Sequence, residues 1–342
     1  MERRYDIDWL RVIAIGLLLI YHIGIAFQPW GMMIGFIQSD EPLQGIWPAM
    51  TLLNIWRIPF LFFVSGMGVA FALRKRTIKA LLLERGKRIL LPFLFGMIAI
   101  VPIHLYFFQY YYDLPLSYVP HAGHLWFLGN IFAYVLLLWP IMYWSTQDNQ
   151  FSKGLKKVFS SEWGLLVTIL AMIGEVLLVK PAIFELYAQT WHGFFIGMVA
   201  FLFGYFFIVA GEPFWKRLTK WRFLFLIGAI SLYVFRLTTY QLKSPGPLMS
   251  LESNLWIFSI LSFGRLYLDK PGKVLDYLSK GAYPIYILHM IFLCLGSVVL
   301  FKTTIAPELQ LVLLTLITFA GCFLSYELIR RIKYVRLLFG LK

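Results

Sequence analysis

Arg11 and His22 are the first residues of the sequence whose types and spacing suggest chemistry. Eleven positions make three helical turns plus about 20°, so both side chains lie on one face, about 16 Å apart along the axis. Asp8, one turn before Arg11, is within reach of its guanidinium. Such a helix offers a cation at one level and a general base at another. A core histidine bonded to a backbone carbonyl is the alternative for His22.

Two carboxylates follow this helix, Asp40 and Glu41, in the segment Ser39-Asp40-Glu41-Pro42. A carboxylate that accepts a hydrogen bond from an imidazole fixes its tautomer and raises its basicity, as general-base catalysis requires. We therefore predict that one of these carboxylates pairs with His22. The sequence does not choose between them, and ordinary loop solubility is the alternative for both.

The elements that position these residues must lie in a membrane. Sixty per cent of the residues are hydrophobic and 14% are charged, whereas a soluble domain carries about 25% charged residues. Ten apolar stretches are long enough to cross a bilayer, and they lie near 8–28, 46–73, 89–112, 124–146, 162–180, 190–210, 221–240, 249–268, 282–301 and 308–331. We predict an all-α polytopic membrane protein with about ten transmembrane helices, forming a single transmembrane domain over residues 1–342 without a soluble domain.

Charge distribution predicts the orientation. Most of the 31 Lys and Arg residues lie at the termini and in the loops near 74–88, 147–160, 212–222 and 270–280. The opposite loops hold only Lys180, Lys243 and Lys302. The positive-inside rule then places both termini in the cytoplasm. Because this asymmetry largely explains the net charge of +14, we do not expect nucleic acid as a partner.

Ionisable residues within the predicted helices are costly in lipid, so each is a candidate for a functional site. Arg57 lies near mid-membrane before Pro59, in a helix that the proline is expected to kink. We expect a buried polar or anionic partner for Arg57, with a structural ion pair as the alternative. His124 and Trp126 begin a later helix at the level of His22, although an interfacial aromatic belt would also account for them.

Tyr286 and His289 lie one turn apart in the stretch 282–301. Since this stretch runs from inside to outside, we expect His289 in the inner half of the membrane, nearer Arg11 than His22. Arg265 is expected at the same level. Two cations and a histidine there would suit a phosphorylated ligand, whereas snorkelling to the interface is the alternative for Arg265.

The cysteines, the small residues and His192 give weaker indications of function. Cys294 and Cys322 both lie in apolar runs, so the sequence shows neither a disulfide framework nor a metal motif. The small residues between 193 and 204 suit close helix packing. His192 is a weaker candidate for chemistry than His22 or His124.

In combination these segments resemble the acyltransferase-3 family of bacterial membrane proteins. The matching pieces, in the family's order, are Arg11 with ten intervening residues and then His22, Arg57-Ile-Pro-Phe-Leu-Phe-Phe-Val-Ser65-Gly66, Arg85-Gly-Lys-Arg88-Ile-Leu-Leu-Pro92, His124-Leu-Trp-Phe-Leu128 and Tyr283-Pro-Ile-Tyr-Ile-Leu-His289. Tyr326-Glu327-Leu-Ile-Arg-Arg331, Arg336-Leu-Leu-Phe-Gly340 and the Ser39–Pro42 segment are similar to the branch of glucan biosynthesis protein C, which is associated with succinylation of periplasmic glucans.

The resemblance implies an enzyme of the bacterial inner membrane. It would move an acetyl or succinyl group from cytoplasmic acyl-CoA to a hydroxyl of a glycan or other acceptor on the outer side. His22 matches the catalytic histidine, Arg11 its partner, and Asp40 or Glu41 the acid that orients it. Acyl-CoA would be the donor substrate, with no permanently bound cofactor, and the oligomeric state, a homo-oligomer included, stays open.

Two further functions are compatible with the residues alone. Broken helices and buried charges also suit a secondary transporter of a sugar or glycolipid, and a membrane-embedded sensor would not depend on His22. A covalent acyl-enzyme through Ser65 or Cys294 lacks an adjacent base in the sequence. For a succinyl donor, Arg57 or Arg236 would supply a second cation.

Overall fold

The computed structural model describes residues 3–341, which form helices connected by loops and contain no strand. The helices are α1 (Tyr5–Ile25), α2 (Trp47–Leu73), α3 (Ile78–Tyr111), α4 (Trp126–Thr146), α5 (Gln150–Phe159), α6 (Trp163–Val179), α7 (Trp191–Ala210), α8 (Glu212–Lys220), α9 (Arg222–Thr239), α10 (Gly246–Tyr267), α11 (Lys273–Leu300), α12 (Pro307–Ile329) and α13 (Val335–Leu338).

The prediction of an all-α polytopic membrane protein is confirmed. Within residues 3–341, eight helices are long and apolar enough to cross a membrane, and α5 with α6, bent by 95°, makes a ninth if counted as one span. The remaining predicted stretch, 249–268, corresponds to helix α10. This helix has 22 residues, but the polar residues Glu252, Ser253 and Asn254 in its interior make it less apolar than the others.

Two helices begin earlier than hydropathy predicts. The predicted stretch 89–112 is the second part of α3, which continues back to Ile78 and contains two π-helical turns at Gly86–Leu90 and Gly96–Ile100. Similarly, α11 begins at Lys273 rather than near residue 282 and has 28 residues. Basic and polar residues that hydropathy assigns to loops extend both helices, because Lys and Arg are good helix formers.

The helices assemble into two compact units, each made of segments that are distant in sequence. The first unit comprises Met1–Ala14, Thr51–Glu84 and Asn130–Leu275. The second comprises Ile15–Met50, Arg85–Gly129 and Asp276–Lys342. Helix α1 is continuous and contributes its beginning to the first unit and its end to the second.

Reciprocal glycines bring α2 and α7 together in the core of the first unit. A Cβ on Gly66 would lie 1.9 Å from the carbonyl oxygen of Phe201, and one on Gly204 would lie 2.0 Å from that of Phe63. Only a residue without a side chain permits this approach, which lets Phe63 and Phe207 stack with centroids 5.4 Å apart. Small residues serve helix packing in lipid in this way.

The second unit uses the same device between α11 and α12. A Cβ on Gly296 would lie 2.6 Å from Leu314, and one on Gly321 would lie 2.4 Å from Phe292. The same two helices are joined by a hydrogen bond that the Tyr277 hydroxyl donates to Glu327 at 2.8 Å. These contacts hold α11, which carries Tyr286 and His289, against α12.

Candidate active site

His22 and His289 form a direct pair in the second unit. Nδ1 of His22 lies 2.8 Å from Nε2 of His289, and the two rings stack with centroids 5.1 Å apart. His289 is fully buried, whereas His22 is half-buried. The expectation that His289 lies nearer Arg11 than His22 is therefore wrong. Because α11 begins at Lys273, His289 lies near the middle of this helix and not in its first two turns.

A backbone carbonyl determines which nitrogen of His289 carries hydrogen. Nδ1 of His289 lies 2.6 Å from the carbonyl oxygen of Tyr286, one turn earlier in α11. A carbonyl can only accept, so Nδ1 is the donor. In the neutral ring Nε2 is then an acceptor, and it is this atom that meets His22. Phe36 packs edge-on against the His22 ring, with centroids 5.5 Å apart.

His124, in the 3-10 turn Gly123–Leu125 that precedes α4, forms two hydrogen bonds with α11. Its Nε2 donates to the carbonyl oxygen of Ile287 at 3.0 Å, and the hydroxyl of Tyr286 donates to the His124 carbonyl. The His124 ring meets that of His289 edge-on, with centroids 4.9 Å apart. The structure therefore brings together His22, His124, Tyr286 and His289. Trp126 follows two residues later and is half-buried.

A fourth histidine, His104 on α3, joins this group and was not predicted. It is buried, and its ring lies 5.4 Å from that of His124. The available signal was a histidine within an apolar span, which is unusual enough to mark a candidate. We call His22, His289, His124 and His104 the histidine cluster. Within residues 3–341, Nδ1 of both His104 and His124 is buried without a hydrogen-bond partner.

The loop with the two candidate carboxylates folds back on the end of α1. The amide of Ser39 donates to the Ala26 carbonyl at 2.8 Å, and the amide of Leu43 to the Phe27 carbonyl at 2.9 Å. Asp40 and Glu41 are both exposed. Burial raises the pKa of the Tyr112 phenol, and the nearby Asp40 carboxylate raises it further. Pairing of either carboxylate with His22 stays a prediction.

The cations predicted to bind the donor lie in the first unit. Arg11 donates to Asp8 at 2.9 Å, as its spacing predicts. Arg57 is buried and donates to Asn54 at 3.4 Å, so it has a polar partner within its own helix. Arg265 is shared between Asp269 and Glu212, the latter at 3.0 Å. These two ion pairs favour a structural role for Arg265.

Arg236 is also occupied by an ion pair. Its Nε and Nη2 donate to the two carboxylate oxygens of Glu252 at 2.8 and 3.0 Å, and both side chains are buried. Glu185, in the loop between α6 and α7, lies 4.0 Å from the same guanidinium. Burial raises the pKa of Glu185, although Arg236 acts in the opposite direction. This arrangement favours a structural role for Arg236.

The remaining reactive residues are placed as follows. His192 pairs with Glu175 at 3.0 Å inside the first unit. The Ser65 hydroxyl donates to the Leu61 carbonyl of its own helix, and Cys294 is fully buried. In the described part of the chain, no group of three or more His, Cys, Asp and Glu residues is arranged to hold a metal ion.

Comparison with known proteins identifies the class of the chain. The sequence model of the acyltransferase-3 family, described as an acyltransferase domain, matches residues 4–327. The chain therefore belongs to this family and is a multi-pass membrane acyltransferase. No curated protein and no solved structure matches the sequence. The match favours the enzyme over the transporter and the sensor, and it spans both compact units.

Proposed function

We propose that this acyltransferase transfers an acetyl or succinyl group from cytoplasmic acyl-CoA to a hydroxyl of a glycan or other acceptor on the outer side of the membrane, with His22 as the general base. The observation that carries the proposal is the pair of His22 with His289. An imidazole that is half-buried and hydrogen-bonded through one nitrogen can take a proton at the other.

The bonding of His22 identifies the nitrogen that would react. Nδ1 is engaged by His289 at 2.8 Å, so Nε2 is the atom that removes the proton from the acceptor hydroxyl. The hydroxyl oxygen then attacks the thioester carbonyl, and the carbon–sulfur bond breaks as the ester forms. The imidazolium returns its proton to the departing thiolate of coenzyme A, which leaves His22 neutral for the next cycle.

Other residues are assigned to binding. His124, with its unpaired buried Nδ1, and the neighbouring Trp126 are assigned to the acceptor. Tyr286 supports them by its bond to the His124 carbonyl. Arg11 and Arg57 are assigned to the anionic groups of the donor. Because α1 is one uninterrupted helix, Arg11 and His22 stay about 16 Å apart along it, which suits the length of a pantetheine arm.

The proposed acyl group, acceptor and cellular location are supported by the sequence. The resemblance to the branch of glucan biosynthesis protein C supports succinyl as the acyl group and a periplasmic glucan as the acceptor. The positive-inside asymmetry supports an inner-membrane location with both termini in the cytoplasm. Membrane lipid surrounds the protein, and acyl-CoA acts as a substrate rather than as a resident cofactor.

The test is acyl transfer by the purified protein in nanodiscs. Acetyl-CoA and succinyl-CoA would be offered with periplasmic glucan, and both thiol release and acylated glucan would be measured. His22→Ala should lower turnover by about 100-fold or more, because a general base contributes that much. His192→Gln is the matched control, since it replaces a histidine outside the histidine cluster. Unchanged turnover in His22→Ala would remove His22 from the mechanism.

A further inference from the structure

The hydrogen bonds of the histidine cluster run in one direction. They begin at the Tyr286 carbonyl, which receives the hydrogen on Nδ1 of His289 at 2.6 Å. Nε2 of neutral His289 then carries no hydrogen and can only accept a hydrogen bond. Nδ1 of His22, 2.8 Å away, must then carry the hydrogen that joins the two rings. The carbonyl thus determines the tautomer of His289, and His289 determines that of His22.

We infer that His289 is a positioning residue, which holds His22 in the tautomer with hydrogen on Nδ1 and the lone pair on Nε2. This inference rests on the proposed function, in which Nε2 of His22 removes the acceptor's proton. It assigns to a second imidazole the role that the resemblance gives to Asp40 or Glu41. His289 acts through His22 and does not itself meet the substrate.

Burial favours His289 over the loop carboxylates for this role. His289 is fully buried, whereas Asp40 and Glu41 are exposed. A hydrogen bond in a dry, low-dielectric site is stronger than one that competes with water. The stacked arrangement, with an angle of 23° between the ring planes, also restricts rotation of the His22 ring.

The surrounding contacts keep His289 in place. Tyr286 and Ile287, which precede it in α11, both bond to His124. The His124 ring closes the side of His289 at a centroid distance of 4.9 Å. A shift of α11 along its axis would break these bonds together with the one to His22. The pair is therefore held by contacts among His22, His289, Tyr286, Ile287 and His124, all of which belong to the second unit.

Nitrogen-15 NMR of histidine-labelled protein tests the pair without requiring activity. The His22 signals are assigned by their loss in His22→Gln. In the wild type we expect the Nδ1–H tautomer of His22. His289→Phe keeps an aromatic ring but removes the acceptor nitrogen, so the Nδ1–H tautomer should lose its dominance. His289→Gln offers an oxygen acceptor and should retain it.

Variants that lose the Nδ1–H tautomer of His22 should also lose turnover. We expect His289→Phe to lower kcat by about 100-fold with the KM for the acceptor nearly unchanged. His289→Gln should recover at least about a tenth of the wild-type kcat, and His192→Gln controls for the loss of a buried histidine. A purely structural role would instead lower the amount of folded protein and affect both His289 variants alike.

Two results would overturn the inference. One is a wild-type His22 with hydrogen on Nε2, and the other is a His289→Phe variant with unchanged tautomer and kcat. If the wild type transfers no acyl group but His289→Phe still changes the His22 tautomer, the proposed function fails and the pairing is supported. The two failures are thus distinguishable.

Discussion

Substitution of Gly66 by Ala tests how closely α2 and α7 must approach. The added Cβ would lie 1.9 Å from the Phe201 carbonyl oxygen and 2.8 Å from its carbon, whereas real Cβ contacts below 3.0 Å essentially do not occur. The contacting atoms are backbone, which cannot turn aside as a side chain does. The two helices must therefore separate by about 1 Å, and overpacking of this kind costs about 1–3 kcal/mol.

Gly68 on the same helix is the matched control. A Cβ there would have no atom within 4 Å, so Gly68→Ala changes only the helix propensity, a gain of about 0.8–1 kcal/mol. Gly66→Ala has the same gain together with the packing cost. We expect the free energy of unfolding of Gly66→Ala to fall about 1–3 kcal/mol below that of Gly68→Ala.

Unfolding in mixed micelles of mild detergent and increasing sodium dodecyl sulfate would measure this difference. Gly204→Ala should behave like Gly66→Ala, because its Cβ would lie 2.0 Å from the Phe63 carbonyl oxygen. Since either change separates the same two helices, the double variant should lose less than the sum of the single losses. Equal stability of Gly66→Ala and Gly68→Ala would refute the close backbone contact.

Two predictions concern the buried charges of the first unit. Glu252→Gln leaves the buried Arg236 guanidinium without its carboxylate, so the free energy of unfolding should fall by about 3–5 kcal/mol. Glu162→Gln, which breaks an exposed pair with Arg217, should have little effect, and equal losses would contradict the reasoning. Burial raises the pKa of Glu185, so ionisation of this carboxyl is less favourable in the folded protein than in the unfolded one. Its contribution to the free energy of unfolding therefore falls as pH rises above about 4.5. Glu185→Gln should therefore stabilise the protein more at pH 8 than at pH 5 in thermal unfolding, and a larger gain at pH 5 would reverse the assigned sign.

Hydropathy and local spacing determine much of the fold. Apolar stretches predict the transmembrane helices because lipid requires every backbone group to be bonded within its own segment. The Arg11-to-His22 spacing and the Asp8–Arg11 pair are likewise properties of a single helix, and the structure retains the pair at 2.9 Å. The family motifs also identify the class, since residues 4–327 match it.

The partner of each buried polar group depends on the tertiary structure. His22 and His289 are separated by 267 positions, and Arg236 and Glu252 lie on different helices, so no local period relates them. The position of His289 relative to Arg11 and His22 was predicted incorrectly because it depends on where α11 begins, and hydropathy does not detect the helical residues between Lys273 and residue 282. His104 joins the cluster only because α3 packs beside the start of α4. Water is absent from the membrane interior, so each such group needs a protein partner, and which partner it finds is decided by helix packing.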